Sequence, residues 1–164
     1  MAVLEQAPRR EGAHIIALPP LETEWTAPGF GPMARVATSL GDVPALALRE
    51  RDVARSAEGD FAEIVQVDRL KLDAAYLAHM PGAHPVVIRA GALGAGRPRA
   101  DIAVSAGQEI GIGHSAADVR FFRAGQLLGC LGILRCPEEM VIYTTFACER
   151  PVTVEVEGIW AKLA

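Results

Sequence analysis

No cysteine precedes Cys130 in this chain. A thiol nucleophile is therefore excluded from everything upstream of that position. The three cysteines that exist, Cys130, Cys136 and Cys148, cannot all pair within one chain. They show no CxxC spacing, which argues against a structural zinc site and predicts free, partly buried thiols in a reducing compartment. An excess of basic charge is missing as well. The formal net charge is −4 and the pI is near 5.6, which argues against nucleic acid as a partner. No apolar run approaches the roughly 20 residues of a membrane helix, so no membrane partner is expected either. The first ten residues lack the basic-then-apolar order of a secretory signal, and cytoplasmic residence is the expectation.

Apolar residues are plentiful, at 51% of 164, enough for one domain with a substantial core. Residues 1–28 carry Pro8, Pro19, Pro20 and Pro28 and no clear period. They are read as an amino-terminal arm with one short strand at 14–18, leading into a domain at 29–164. From Ala34 onward, short apolar runs alternate with turn residues, the mark of a mainly β architecture. Strands are predicted at 34–38, 62–68, 86–89, 102–105, 109–112, 140–147 and 152–156, with a turn at Leu40-Gly41-Asp42. Two short helices are predicted, at 72–79 and 122–128.

Three blocks of sequence carry a resemblance. The first begins Gly29-Phe30-Gly31-Pro32-Met33-Ala34-Arg35-Val36-Ala37-Thr38 and runs through Gly41 and Leu48-Arg49 to Asp52. The second is Pro85-Val86-Val87-Ile88-Arg89-Ala90-Gly91-Ala92-Leu93-Gly94, continuing through Pro98 and Asp101 to Val104-Ser105. The third runs from Val141-Ile142-Tyr143 through Glu149-Arg150-Pro151 to Glu157-Gly158-Ile159-Trp160. Together they resemble the Hedgehog/intein (Hint) domain family of bacterial type. The resemblance implies a compact, horseshoe-like β fold. It also implies a chemistry of self-processing, in which the first motif residue, a cysteine, attacks the carbonyl before it and converts an amide to a thioester. A Thr/Ser-x-x-His element then polarises the scissile amide and protonates its nitrogen.

At those positions this chain departs from the pattern. The nucleophile position is Gly29. The Ser-x-x-His element reads Ser105-Ala106-Gly107-Gln108, which keeps a hydroxyl and replaces the imidazole by an amide. A further family histidine falls on Pro151, and the chain end carries no His-Asn pair for cyclisation. The resemblance therefore implies a vestigial groove lined by Gly29, Phe30, Ser105, Gln108, Arg150 and Pro151, with no catalytic residue intact. A peptide or protein partner held without cleavage is the function expected of it. Two alternatives stand beside it: residual autoprocessing through a hydroxyl, with Thr26 or Thr38 as candidates, and a structural assembly role. Relatives ride on proteins exported without a cleaved signal, so signal-less export is a second possibility for location, although no Gly-Gly-x-Gly-x-Asp repeat is present.

Other residues invite chemical readings and have simpler ones. His79 and His84 flank turn residues and are read as loop histidines rather than a metal pair. His114-Ser115 suggests a hydrolase, but neighbours on an extended chain face opposite ways. Asp101, Asp118 and Glu149 would complete a triad only through tertiary contacts. Gly91–Gly96 lacks the Lys-Ser/Thr and helix of a phosphate loop. Asp52 and Asp101 are read as turn-forming side chains that bond backbone, and Trp25 and Trp160 as packing residues. No metal and no cofactor is expected.

Overall fold

The computed structural model describes residues 25–115 and 117–163. Twelve strands and one short α-helix are formed among them. The order is β1 (Arg35–Thr38), β2 (Gly41–Pro44), β3 (Val53–Arg55), β4 (Phe61–Leu72), α1 (Ala74–His79), β5 (Val86–Ile88), β6 (Ile102–Val104), β7 (Glu109–Ile112), β8 (Arg120–Arg123), β9 (Ile133–Arg135), β10 (Val141–Cys148), β11 (Thr153–Val156) and β12 (Ile159–Lys162). One antiparallel sheet runs β10-β4-β3-β1-β11-β12-β7-β8, with β2 also paired to β1; a second runs β6-β5-β9. This is the mainly β fold that the sequence implies.

Local chemistry sets the corners. The β1–β2 hairpin turns on Thr38, whose hydroxyl accepts from the Leu40 N–H and donates to the Gly41 carbonyl at 2.6 Å. Between β11 and β12, Glu157 and Gly158 both take positive φ, +50° and +81°, which suits the twist of a two-residue hairpin. The Glu157 carboxylate is buried and takes Arg35 Nε at 3.0 Å, tying that hairpin to β1. The guanidinium in turn is pushed further above its ordinary value by that bond.

Two apolar clusters form. The larger joins Phe30, Val36, Ile64, Ile88, Ile102, Val104, Ile110 and Val156. The smaller gathers Leu72, Leu77, Ala83, Val141 and Tyr143, with Trp25 and Met80 against it. Burying an aromatic such as Phe30, which also lies 5.9 Å from the Phe146 ring, contributes about 2–3 kcal/mol. Phe30 stitches the two sheets together, bridging Val104 of β6 and Thr144 of β10.

Each of the seven predicted strands has its counterpart, with β4 longer than expected because it runs on to Leu72 as the partner of β10. The predicted helix at 72–79 begins two residues later, where the Asp73 carboxylate accepts the Tyr76 N–H as a cap. The helix expected at 122–128 does not form. Phe121 and Phe122 pair with Gly111 and Ile110 as β8, and only a 3₁₀ turn at Ala124–Leu127 follows. The turn expected at 40–42 is tighter, because Gly41 and Asp42 already belong to β2. The strand expected at 14–18 lies outside the described residues. No helix among the described residues is long and apolar enough to cross a membrane.

Candidate functional site

The site is built where the incoming chain meets the turn after β6. Ser105-Ala106-Gly107-Gln108 forms that turn, closed by the Gln108 N–H on the Ser105 carbonyl at 3.0 Å. Residues 25–28 lie across it. Ser105 Oγ donates to the Ala27 carbonyl at 2.5 Å and accepts the indole N–H of Trp25 at 2.8 Å. Trp25 meanwhile stacks edge-on against Tyr76, with ring centroids 6.1 Å apart. Gly107 makes this approach possible. A Cβ there would stand 2.2 Å from the Thr26 carbonyl oxygen, inside any contact distance.

Gln108 is buried and completes the seat. Its Oε1 accepts the Gly29 N–H at 3.0 Å, and its Nε2 donates to the Lys162 carbonyl at 2.9 Å and the Glu109 carbonyl at 3.2 Å. With both donor directions taken by carbonyls, the acceptor end faces Gly29. The Gly29 carbonyl takes the Ser105 N–H at 2.9 Å, and Phe30 exchanges both backbone bonds with Thr144 at 2.9 Å. The Gly29–Phe30 peptide is thereby held from both sides, and the Pro28–Gly29 peptide by its N–H on Gln108.

Tyr143 closes the remaining face. A Cβ on residue 29 would fall 2.7 Å from Tyr143 Cβ and 3.2 Å from its Cγ. The ring cannot swing aside freely, because its hydroxyl donates to the Ala83 carbonyl at 2.7 Å. Burial raises the phenol far above its ordinary pKa, so it stays neutral. Beside Pro28 a pocket of ≈ 20 Å³, lined by Phe30, Gln108, Thr145, Phe146 and Leu163, is about large enough for one water. Thr144 Oγ1, buried, has no hydrogen-bond partner among the described residues.

Gly29, Phe30, Ser105 and Gln108 are thus brought together. Arg150 is not; its guanidinium pairs with Asp60 at 2.7 Å and the Phe61 carbonyl at 3.2 Å. Pro151 sits with it on a separate cleft of ≈ 310 Å³ that also includes Cys148 and Leu163. Of the candidate hydroxyls, Thr38 is held in the β1–β2 hairpin, and Thr26 presents its carbonyl to Gly107. Trp25, Gly107 and Tyr143 are the site residues that sequence reasoning missed. Gly107, standing in the Ser-x-x-Gln turn, is the one that carried a readable signal.

The remaining candidates have local partners. His79 Nδ1 bonds the Ala75 carbonyl and His84 Nδ1 the Glu138 N–H. No group of metal-ligating side chains forms among the described residues. Asp118 caps a turn by accepting the His114 and Ser115 N–H groups, and the Ser115 bond above all holds its carboxyl below the ordinary value. Asp52 and Asp101 accept the Arg49 and Ala90 N–H groups. Glu149 accepts from Glu63, and Trp160 lies under the Arg97 guanidinium. Gly94 and Arg97 form a tight turn in the glycine-rich segment. The three cysteines are free, Cys130 exposed and the other two partly buried.

Comparison with known proteins gives this geometry its context. The family model of the Hint domain matches residues 28–162. Among solved structures, the chain is similar to the MchDnaB-1 intein variant N145AA at 10% identity, covering 82% of this chain and 99% of that one, with a TM-score of 0.56. The gp41-1 intein matches at 13% identity, 83% and 98% coverage and a TM-score of 0.54. A DnaB intein from Synechocystis sp. PCC 6803 matches at 10% identity, 84% and 99% coverage and a TM-score of 0.54. At such identities the likeness is one of fold. No curated protein matches the chain in sequence.

Proposed function

The chain belongs to the Hint domain family, and from that premise we propose that it is a degenerate member, a binding and regulatory module that keeps the seat for its upstream segment and no longer cuts it. The observation that carries this reading is the bond from the Gly29 N–H to Gln108 Oε1 at 3.0 Å, made while Ser105 holds the Ala27 carbonyl. Residues 25–28 lie as a substrate would, with the Pro28 carbonyl next to a residue that has no side chain to attack it.

Each chemical requirement fails at a named atom. Nucleophilic attack needs a thiol or hydroxyl on residue 29, and glycine supplies none. Departure of the Gly29 nitrogen needs an acid, and a carboxamide cannot deliver a proton near neutral pH. Gln108 instead accepts a hydrogen from that nitrogen and spends both its own donors on carbonyls. Loss of a nucleophile alone from a site that acts as a unit costs on the order of 10⁶ in rate. What remains is recognition of an extended backbone through Ser105, Gln108 and Gly107.

Amide hydrogen exchange on the full chain tests this seat. Slow exchange at Gly29 and Phe30, accelerated in Gln108→Ala, is expected. Rapid exchange at Gly29 in the unaltered chain would remove the reading, since the upstream segment would then not be held.

A further inference from the structure

Residues 29–31 occupy a gap one strand wide. On one side Phe30 exchanges backbone bonds with Thr144 of β10; on the other, Gly31 donates to the Ala103 carbonyl of β6 at 2.8 Å. The pairing then stops. Pro32 has no N–H, the Gly31 carbonyl is taken by Ala34, and the chain leaves to form β1. β10 runs on from Thr144 to Val141, and β6 from Ala103 to Ile102, without a strand between them. The space left is a cleft of ≈ 380 Å³ whose walls include Pro85, Val87, Ile102, Ala103, Met140 and Ile142.

Its main-chain walls are fixed by register. In an antiparallel pair, alternate residues of a strand send N–H and C=O to the same side. Thr144 sends both to Phe30, so Ile142, two residues back on β10, sends both into the cleft. The opposite wall presents Ala103, whose carbonyl already takes Gly31. The charged residues lining the cleft are Asp101 and Glu138, both acidic. Met33 and Met140, 72% and 50% exposed, stand at its mouth as pliable apolar side chains.

We propose that this cleft is a strand-docking slot for another polypeptide: an extended segment, apolar at alternate residues and flanked by Lys or Arg, that continues the line of residues 29–31 and runs antiparallel to both β6 and β10. The inference rests on the reading of the chain as a binding module and places its partner beside the filled groove rather than in it. Two strand edges about two interstrand spacings apart, roughly 9.5 Å, are matched by a backbone that bonds on both sides. An acyl chain or small apolar ligand would leave those edges unpaired. The acidic lining complements basic flanks, and strand addition of this kind draws affinity from main-chain bonds and selectivity from alternate side chains.

The test uses the full chain and fluorescein-labelled peptides in which Val or Ile alternates with Thr, with a Lys at each end, beside the same peptides N-methylated at alternate amides. Saturable binding by anisotropy is expected. N-methylation, and separately Glu138→Lys, should weaken it by about tenfold or more, and bound peptide should shift the amide resonances of Ala103 and Ile142. No saturable binding at millimolar peptide overturns the proposal, as do equal binding of the N-methylated peptides or shifts confined to other faces. Self-cleavage is read separately by mass, so loss of this slot and loss of the non-cleaving reading are distinguishable.

Discussion

Gln108 Oε1 accepts the N–H of Gly29 at 3.0 Å, across 79 positions of sequence. The bond satisfies the buried Gly29 N–H with a carboxamide oxygen. Gln108→Ala would leave both the Gly29 N–H and the Lys162 carbonyl without this partner. The expected cost is about 1–3 kcal/mol, read as a drop of several degrees in Tm. An unchanged Tm would show that the seat does not hold the junction.

A thiol placed at residue 29 should not make the chain cut itself. Gly29→Cys puts a Cβ 2.7 Å from Tyr143 Cβ, an overpacking that costs typically about 1–3 kcal/mol. The variant is predicted to be less stable and to remain uncut in thiol-containing buffer. Stability equal to the parent by denaturant titration would show that Tyr143 does not close this face.

Acid should weaken the turn after β3. The Ser56 hydroxyl, and behind it Arg150, hold the Asp60 carboxyl below its ordinary value. A carboxyl depressed on folding stabilises the fold above its unfolded pKa, about 3.9, and that contribution is lost as pH falls through the lower folded value. Asp60→Asn should therefore lower Tm at neutral pH and flatten the fall of Tm below about pH 4. A variant whose acid limb matches the parent would contradict this.

The thiols should react in a definite order. Burial pushes the Cys148 thiol upward, and burial likewise raises Cys136, so each presents less thiolate at a given pH. Cys130 is exposed and should be modified first by an aromatic disulfide near about pH 8. Single Ser variants assign the phases, and a fast phase that survives Cys130→Ser would contradict the order.

Much of the fold was legible where strands were long or bounded by turn residues. The strand expected at 109–112 coincides with β7, and that at 102–105 with β6 to within one residue. β3 and β9, of three residues each, are too short to show a period. The helix expected at 122–128 takes in the last two residues of β8, whose pairing to β7 is a tertiary fact. In the site, Gly29, Ser105 and Gln108 were found through the motif positions they occupy. Tyr143 and Trp25 were not, because nothing local to either announces a neighbour dozens of residues away. Arg150 was placed in the groove by its motif, and its pairing with Asp60 is not visible in sequence.

The central claim is that the Pro28–Gly29 peptide is seated and not cut. Its most direct test is the intact mass of the full chain carrying a fused protein before Met1, followed over days with and without dithiothreitol. The account predicts a single unchanged mass in both conditions. Release of the carrier together with residues 1–28, faster with thiol, would contradict it.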